Sequence, residues 1–139
     1  MIRIALLDDE KDQREVTAAL LERYLARHPE LSAQTRAFQS GYELLDAVER
    51  SGNFDLYLLD IVMPEQNGIE VGLSIRKLDS LGLIVYLTTS PDYAVDSYLT
   101  NAFHYLLKPV RWEQMVSVLD RAMDILVRRQ ELGDMVRTK

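Results

Sequence analysis

Cysteine is absent from the 139-residue sequence, so the chain can form neither a disulfide framework nor a thiolate metal site. Histidine is scarce as well. His28 and His104 lie far apart and belong to no recognisable ligand or catalytic motif, and we interpret both as surface or packing residues. A metal site in this protein is therefore expected to use oxygen ligands.

Long apolar runs are also lacking, and none approaches the roughly 20 residues that a transmembrane helix needs. The first seven residues lead directly to two aspartates. They lack both the apolar stretch and the small-residue cleavage site of a signal peptide. We therefore expect a cytoplasmic protein that makes no membrane contact.

Positive charge is not in excess, since the formal net charge is -6 and the pI is about 4.9. A domain that grips nucleic acid by its phosphates usually carries a basic patch. DNA binding by these residues alone is therefore not expected, and solubility accounts for most of the acidity.

Hydrophobic residues make up 47% of the chain, which is enough for one domain with its own core. Five apolar runs alternate with five amphipathic segments of helical periodicity. The predicted strands span residues 2–7, 31–38, 54–59, 83–87 and 103–107. The predicted helices span residues 11–27, the segment between an N-cap at Ser40 and Gly52, and residues 69–78, 91–101 and 112–129.

Near-continuous apolar strands separated by helices indicate an α/β fold with a parallel sheet covered on both faces. Right-handed crossovers leave few topologies. We select the flavodoxin-like, doubly wound (βα)5 arrangement with strand order 2-1-3-4-5, partly on the resemblance described below.

Polar residues follow four of the predicted strands at the point where each apolar run stops. The carboxyl ends of parallel strands share one edge, so we expect these side chains to gather beside the crevice between strands 1 and 3, where strand order reverses. Taken singly, each residue is common in a loop after a strand, and only their joint placement indicates a site. They are Asp8 and Asp9 after strand 1, Asp60 after strand 3, Thr88 and Thr89 after strand 4, and Lys108 after strand 5.

Three carboxylates at one edge repel one another, and a pair about 4 Å apart costs on the order of 4 kcal/mol at an effective dielectric near 20. They need either raised pKa values or a bound cation. Oxygen ligands without histidine or cysteine favour Mg²⁺ or a similar ion such as Mn²⁺. Lys108 adds a charge, and Thr88 a hydroxyl, suited to phosphoryl oxygens. The set predicts metal-assisted phosphoryl transfer to a carboxylate.

These residues resemble the motifs of the response regulator receiver (CheY-like) family over about residues 2–127. The similarity lies in an acidic pair, a phosphorylation loop of fixed spacing, a threonine and a Lys-Pro pair. The residues concerned are Asp8-Asp9-Glu10, the segment DIVMPEQNG from Asp60 to Gly68, Thr88, and Lys108-Pro109.

The resemblance implies a role for each site residue. Asp60 is the nucleophile that takes a phosphoryl group from a phosphohistidine on a sensor histidine kinase. The chain then catalyses only its own phosphorylation and dephosphorylation and is not otherwise an enzyme. The resemblance also implies that Asp9, Asp60 and the backbone carbonyl of Val62 bind the metal directly and that Asp8 binds it through water. Thr88 and Lys108 are implied to contact the phosphoryl group. The peptide bond before Pro109 is implied to be cis.

A switch is implied by the same resemblance. The new phosphoryl group draws the Thr88 hydroxyl inward, and the aromatic ring of Tyr105 fills the vacated space. A few kcal/mol of differential contact suffices to shift such a two-state element. The alternative is that Tyr105 is ordinary half-buried core with its hydroxyl in water.

The output is predicted from two segments, YAV at residues 93–95 and YLLKPV at residues 105–110, which resemble receivers of LytTR-class transcriptional regulators. Such regulators carry a C-terminal β-rich DNA-binding domain. We expect residues 1–130 to form the receiver. Residues 131–139, with a strand-like start at Met135, are expected to be a linker or the beginning of a missing effector domain, through which alone DNA is contacted. The face of the fourth helix, fifth strand and fifth helix is a candidate homodimer surface.

Three alternatives remain open from the sequence. One is a stand-alone receiver that controls a protein partner. Another is a haloacid-dehalogenase-type phosphatase that forms an aspartyl phosphate, but this needs a second carboxylate two residues after the nucleophile, where Val62 stands. The third is a pseudo-receiver used only for interaction, against which the complete acceptor set argues.

Overall fold

The computed structural model describes residues 1–137, with side chains described up to residue 133. The strands are β1 (Ile2–Leu7), β2 (Ala33–Phe38), β3 (Leu56–Leu59), β4 (Leu83–Thr88) and β5 (His104–Leu107). The helices are α1 (Lys11–Ala26), α2 (Gly41–Ser51), α3 (Gly68–Leu78) and α4 (Trp112–Arg137), with a 3-10 helix (Asp96–Thr100) before β5. None of the helices in this part of the chain combines the length and hydrophobicity that a membrane crossing requires.

The strands of the described residues form one parallel sheet in the order β2-β1-β3-β4-β5. In chain order, β2 pairs with one side of β1, β3 pairs with the other side of β1, and β4 and β5 extend the sheet beyond β3. The order therefore reverses between β1 and β3, and the predicted flavodoxin-like topology is confirmed.

Alternate residues of the central strands enter two separate cores, one on each face of the sheet. One core lies under α1 and α4, and the other lies under α2 and α3. Because β3 and β4 are buried along their whole length, they read as continuous apolar runs in the sequence. The first core includes Ile4, Leu6, Leu21, Leu58, Leu119 and Met123; the second includes Ala5, Leu7, Leu44, Leu59, Val71 and Ile75.

The predicted fourth helix is a 3-10 helix preceded by turns at residues 92–95. Its buried residues are Ser97 and Thr100, whose spacing of three suits a helix with three residues per turn. Ser97 Oγ donates to Ala94 O at 2.6 Å, and Thr100 Oγ1 donates to Ser97 O at 2.9 Å. Short polar side chains thus bond to the nearby backbone in place of the apolar stripe that would bury an α-helix.

The last helix is longer than predicted, since α4 ends at Arg137 and not at residue 129. Residues 131–137 are helical, so the strand-like start expected at Met135 is wrong, whereas the role of residues 131–139 as a linker stays a prediction. The residues from Arg128 to Glu131 are charged or amide-bearing helix formers without proline or glycine, so no stop signal lies there. Residues 138 and 139 lie outside the described residues, and a further domain beyond them stays a prediction.

Candidate functional site

Four strand ends meet at the edge of the sheet where strand order reverses. The backbone pairing continues one residue beyond the strands. Asp60 N–H donates to Leu7 O at 2.9 Å, which fixes the residue after β3 against the end of β1. Lys108 N–H donates to Thr88 O at 2.8 Å, which fixes the residue after β5 against the end of β4. The sheet itself therefore brings the predicted site residues together.

The carboxylates of Asp8, Asp9 and Asp60 form one cluster, in which one oxygen from each lies within 4.8 Å of the others. Asp8 and Asp60 are only 2% and 8% exposed. Asp9 Oδ1 is buried and has no hydrogen-bond partner among the described residues. An unpartnered anionic oxygen in a purely oxygen donor set fits a hard divalent cation such as Mg²⁺, which is the group that this site would hold.

Lys108 supplies the positive charge of the cluster. Its Nζ lies 2.6 Å from Asp8 Oδ2 and 3.8 Å from Asp60 Oδ1, and its side chain is 9% exposed. A single ammonium is thus shared between two nearly buried carboxylates, and its closer contact is with Asp8. Three carboxylates face one lysine, so the cluster retains a net negative charge that a cation would neutralise.

The pKa of Asp60 is raised from its ordinary value to about 6, chiefly by burial and in smaller part by the neighbouring carboxylates of Asp8 and Asp9. The Lys108 ammonium and the Ile61 N–H, which donates to Asp60 Oδ1 at 2.9 Å, act in the opposite direction. At neutral pH Asp60 is therefore largely ionised but poorly solvated. A carboxylate in that state is suited to act as a nucleophile.

The loop after Asp60 is held close to the site by glycine at its far end. Gly68 N–H donates to Ile61 O at 2.9 Å. A Cβ at Gly68 would clash with the carbonyl oxygen of Asp60, so a side chain there would displace the backbone of Asp60. Asn67 caps α3 by accepting from Glu70 N–H at 3.0 Å. The Asn-Gly pair of the motif thus sets the return path of the loop.

Thr88 and Tyr105 are connected through Ser90. Thr88 is fully buried, and its Oγ1 accepts from Ser90 N–H at 3.3 Å. The Tyr105 hydroxyl donates to the carbonyl oxygen of Ser90, so it is bonded to the protein and not left to water. Burial raises the pKa of Tyr105, which keeps this donor protonated. Thr88 and Tyr105, the two predicted switch residues, therefore both hydrogen-bond to Ser90 in the loop after β4.

Val62 follows Asp60 by two residues, and Pro109 directly follows Lys108. The Val62 side chain is 51% exposed and apolar, so its backbone carbonyl is the acceptor that this residue can offer to a metal. The Lys108–Pro109 peptide bond is cis.

One contact of the site was not predicted from the sequence. Arg14, in the first turn of α1, donates from Nη1 to the carbonyl oxygen of Asp8 at 2.8 Å. The sequence gives no signal for this contact, because it is made to a backbone carbonyl and not to a side chain of a particular type.

Comparisons with known proteins bear on the family to which the chain belongs. The family model described as the response regulator receiver domain matches residues 4–120. A response regulatory protein of Yersinia pestis is 31% identical over 99% of this chain and 55% of its own length. The sensory transduction protein LytT of Bacillus cereus is 27% identical over 87% of this chain and 47% of its own length. The chain thus spans about half the length of these curated relatives.

A solved structure gives a further comparison. The response regulator protein TrrA of Thermotoga maritima, in complex with Mg²⁺ and a beryllium fluoride, is 30% identical to this chain. The match has a TM-score of 0.74 and covers 88% of this chain and 99% of TrrA. The family match extends over far more than half of the sequence, and the chain belongs to the response regulator receiver family of two-component systems.

Proposed function

We propose that this receiver accepts a phosphoryl group on Asp60 from a phosphohistidine of a sensor histidine kinase, in a reaction that requires Mg²⁺. The observation that carries the proposal is the buried cluster of Asp8, Asp9 and Asp60, which contains an anionic oxygen without a partner in the described part of the chain. A divalent cation would satisfy this oxygen and would also offset the mutual repulsion of the three carboxylates.

The chemistry exchanges one bond to phosphorus for another. A carboxylate oxygen of Asp60 attacks the phosphorus, a P–O bond forms, and the P–N bond to the histidine breaks with its electron pair left on the imidazole. Asp9, Asp60 and the Val62 carbonyl would hold Mg²⁺ directly, with Asp8 acting through water. When bound, the ion neutralises charge on the transferring oxygens.

Lys108 and Thr88 would then contact the acyl phosphate. Lys108 Nζ is nearer to Asp8 than to Asp60, so it has to shift from its 2.6 Å contact with Asp8 toward the phosphoryl oxygens. The Thr88 oxygen accepts from Ser90 N–H, which leaves the hydroxyl proton able to point at a phosphoryl oxygen. Movement of Thr88 would be transmitted to Tyr105 because both residues bond to Ser90.

The output would be a homodimer that positions a LytTR-type DNA-binding domain beyond residue 139. Support comes from the length of the relatives and from exposed apolar side chains in the turn before the 3-10 helix, in that helix and at the end of β5. Val95, Tyr98, Leu99 and Leu107 are 77%, 83%, 68% and 47% exposed. Exposed apolar surface is typical of a protein–protein interface. Light scattering of the beryllofluoride-treated protein should show dimers, and a Tyr98→Glu variant should remain monomeric.

Incubation with acetyl phosphate and Mg²⁺, followed by intact mass spectrometry, tests the proposal. Wild type should gain one phosphoryl group, whereas Asp60→Asn and an EDTA-treated sample should gain none. Asp12→Asn, an exposed acid in the first turn of α1, is the matched control and should be labelled like wild type. No gain with acetyl phosphate, phosphoramidate or a phosphorylated kinase would overturn the proposal and favour a pseudo-receiver.

A further inference from the structure

Arg14 occupies an unexpected place for a cationic side chain, since it reaches the loop that carries two carboxylates of the proposed metal site. It lies in the first turn of α1 (Lys11–Ala26), and its backbone N–H bonds to Glu10 O at 2.9 Å. Its side chain folds back over this turn, and Nη1 donates to Asp8 O at 2.8 Å in a partly buried contact. The guanidinium thus closes the β1–α1 loop onto the start of the helix.

With the bond from Arg14, Asp8 is held in place through all of its polar groups. Every polar group of Asp8 has a partner within the protein, whereas Asp9, its neighbour, keeps a buried oxygen without one among the described residues. Asp8 N–H donates to Phe38 O at 3.2 Å, Asp8 O accepts from Arg14, Oδ1 accepts from Glu10 N–H at 3.0 Å, and Oδ2 accepts from Lys108.

The carbonyl held by Arg14 belongs to the peptide group that joins Asp8 to Asp9. The orientation of this peptide determines where the Cα and carboxylate of Asp9 lie. Fixing it in advance removes freedom that a metal would otherwise have to restrict on binding. Residues that orient direct ligands in this way commonly change metal affinity by 10- to 100-fold when they are mutated.

We propose that Arg14 is a positioning residue of the divalent-cation site, which it serves by holding the Asp8–Asp9 peptide through the Asp8 carbonyl. The inference rests on the proposed function, because it takes Mg²⁺ as the ion. It also opposes the simplest electrostatic expectation. A positive side chain close to a cation site weakens cation binding through its charge alone, so removal of that charge should strengthen Mg²⁺ binding.

The sign of the change in Mg²⁺ affinity separates these two effects. Isothermal titration with Mg²⁺ alone is performed on wild type, Arg14→Gln, Arg14→Lys and Lys11→Gln. Lys11 lies in the same turn and is exposed, and Lys11→Gln removes the same charge without removing the bond to Asp8 O. Arg14→Gln should bind Mg²⁺ about tenfold more weakly. Lys11→Gln should bind as tightly as wild type or more tightly, and Arg14→Lys should recover part of the loss.

A second measurement distinguishes a positioning role from a general loss of structure. At saturating Mg²⁺, acetyl phosphate should label Arg14→Gln at nearly the wild-type rate, because the defect lies in metal affinity and not in the nucleophile. Urea unfolding in EDTA confirms that each variant is folded.

Two results would overturn the inference. The first is Mg²⁺ affinity in Arg14→Gln that equals or exceeds that of wild type. The second is an equal change in Arg14→Gln and Lys11→Gln, which would show that only charge is felt. A wild type that binds no Mg²⁺ would instead overturn the proposed function together with the inference, so the two failures are distinguishable.

Discussion

Acidic side chains are buried both at the edge of the sheet formed by the amino ends of the strands and at the edge formed by their carboxyl ends. The two edges differ in how many hydrogen-bond donors face these carboxylates. At the edge where β4 begins, Asp79 is 6% exposed and follows α3. Its Oδ1 accepts from Leu81 N–H at 3.0 Å and Gly82 N–H at 2.9 Å, and its Oδ2 accepts from the Tyr57 hydroxyl at 3.0 Å. Both oxygens of this carboxylate are therefore satisfied.

At the opposite edge, carboxylates outnumber the groups that can neutralise them. Asp60 receives the Ile61 N–H and a distant Lys108, while Asp9 Oδ1 has no partner in the described part of the chain. Burial of comparable depth thus produces a structural turn at one edge and an incomplete site at the other. The difference is the ratio of donors to carboxylate oxygens, and it supports the proposal that the second edge binds a cation.

The largest expected effect is the loss of stability caused by replacing Asp79, whose two carboxylate oxygens both have hydrogen-bond donors. Asp79→Ala leaves two backbone N–H groups and the Tyr57 hydroxyl without their acceptor, which should lower the free energy of unfolding by about 3 kcal/mol. Asp79→Asn keeps an acceptor oxygen and should cost less than half as much. Urea unfolding measures both. Equal stability of Asp79→Ala and wild type would show that the two edges do not differ as described.

A smaller effect is expected in the pH dependence of protein stability, which the burial of Asp60 should change. The raised pKa of Asp60 means that the folded protein still holds a proton that the unfolded chain has released between pH 3.8 and about 6. The folded state binds more protons in this window, so stability falls as pH rises. Between pH 3.8 and about 6, the free energy of unfolding of metal-free wild type should fall by about 2 kcal/mol relative to that of Asp60→Asn. Above about pH 7 the difference should not change further.

Urea midpoints in EDTA at a series of pH values measure this difference. The exposed variant Asp12→Asn serves as the control and should follow wild type at every pH. Parallel curves for wild type and Asp60→Asn would mean that burial at this edge carries no penalty for the charge.

The smallest effect is stabilisation by Mg²⁺. At a free concentration of ten times its Kd, the ion should add about 1.4 kcal/mol to the stability of wild type. Asp9→Asn should show less than half of this gain at the same concentration, because the unpartnered anionic oxygen is removed. Asp79→Asn should keep the full gain. Thermal melts with and without Mg²⁺ make the comparison, and an undiminished gain in Asp9→Asn would contradict the proposed ligand set.

Much of the fold was predictable because its signals are local. Five apolar runs gave the strands, and the polar residues at their ends, together with the motif resemblance, located the cluster around Asp60. The remaining features depend on long-range or backbone contacts. Arg14 bonds to a carbonyl and Asp79 to a tyrosine from another element, and neither bond leaves a periodic pattern. The 3-10 helix depends on local hydroxyl bonds, and α4 continues past residue 129 because residues 128–131 contain neither proline nor glycine.

The most direct test of the central claim is identification of the phosphorylated residue. The protein is incubated with acetyl phosphate and Mg²⁺ and then reduced with borohydride, which converts an aspartyl phosphate into homoserine, and its peptides are mapped by tandem mass spectrometry. Homoserine is expected in place of Asp60 and nowhere else. Homoserine in place of Asp8 or Asp9, or an unmodified Asp60 in protein that has gained a phosphoryl group, would contradict the central claim.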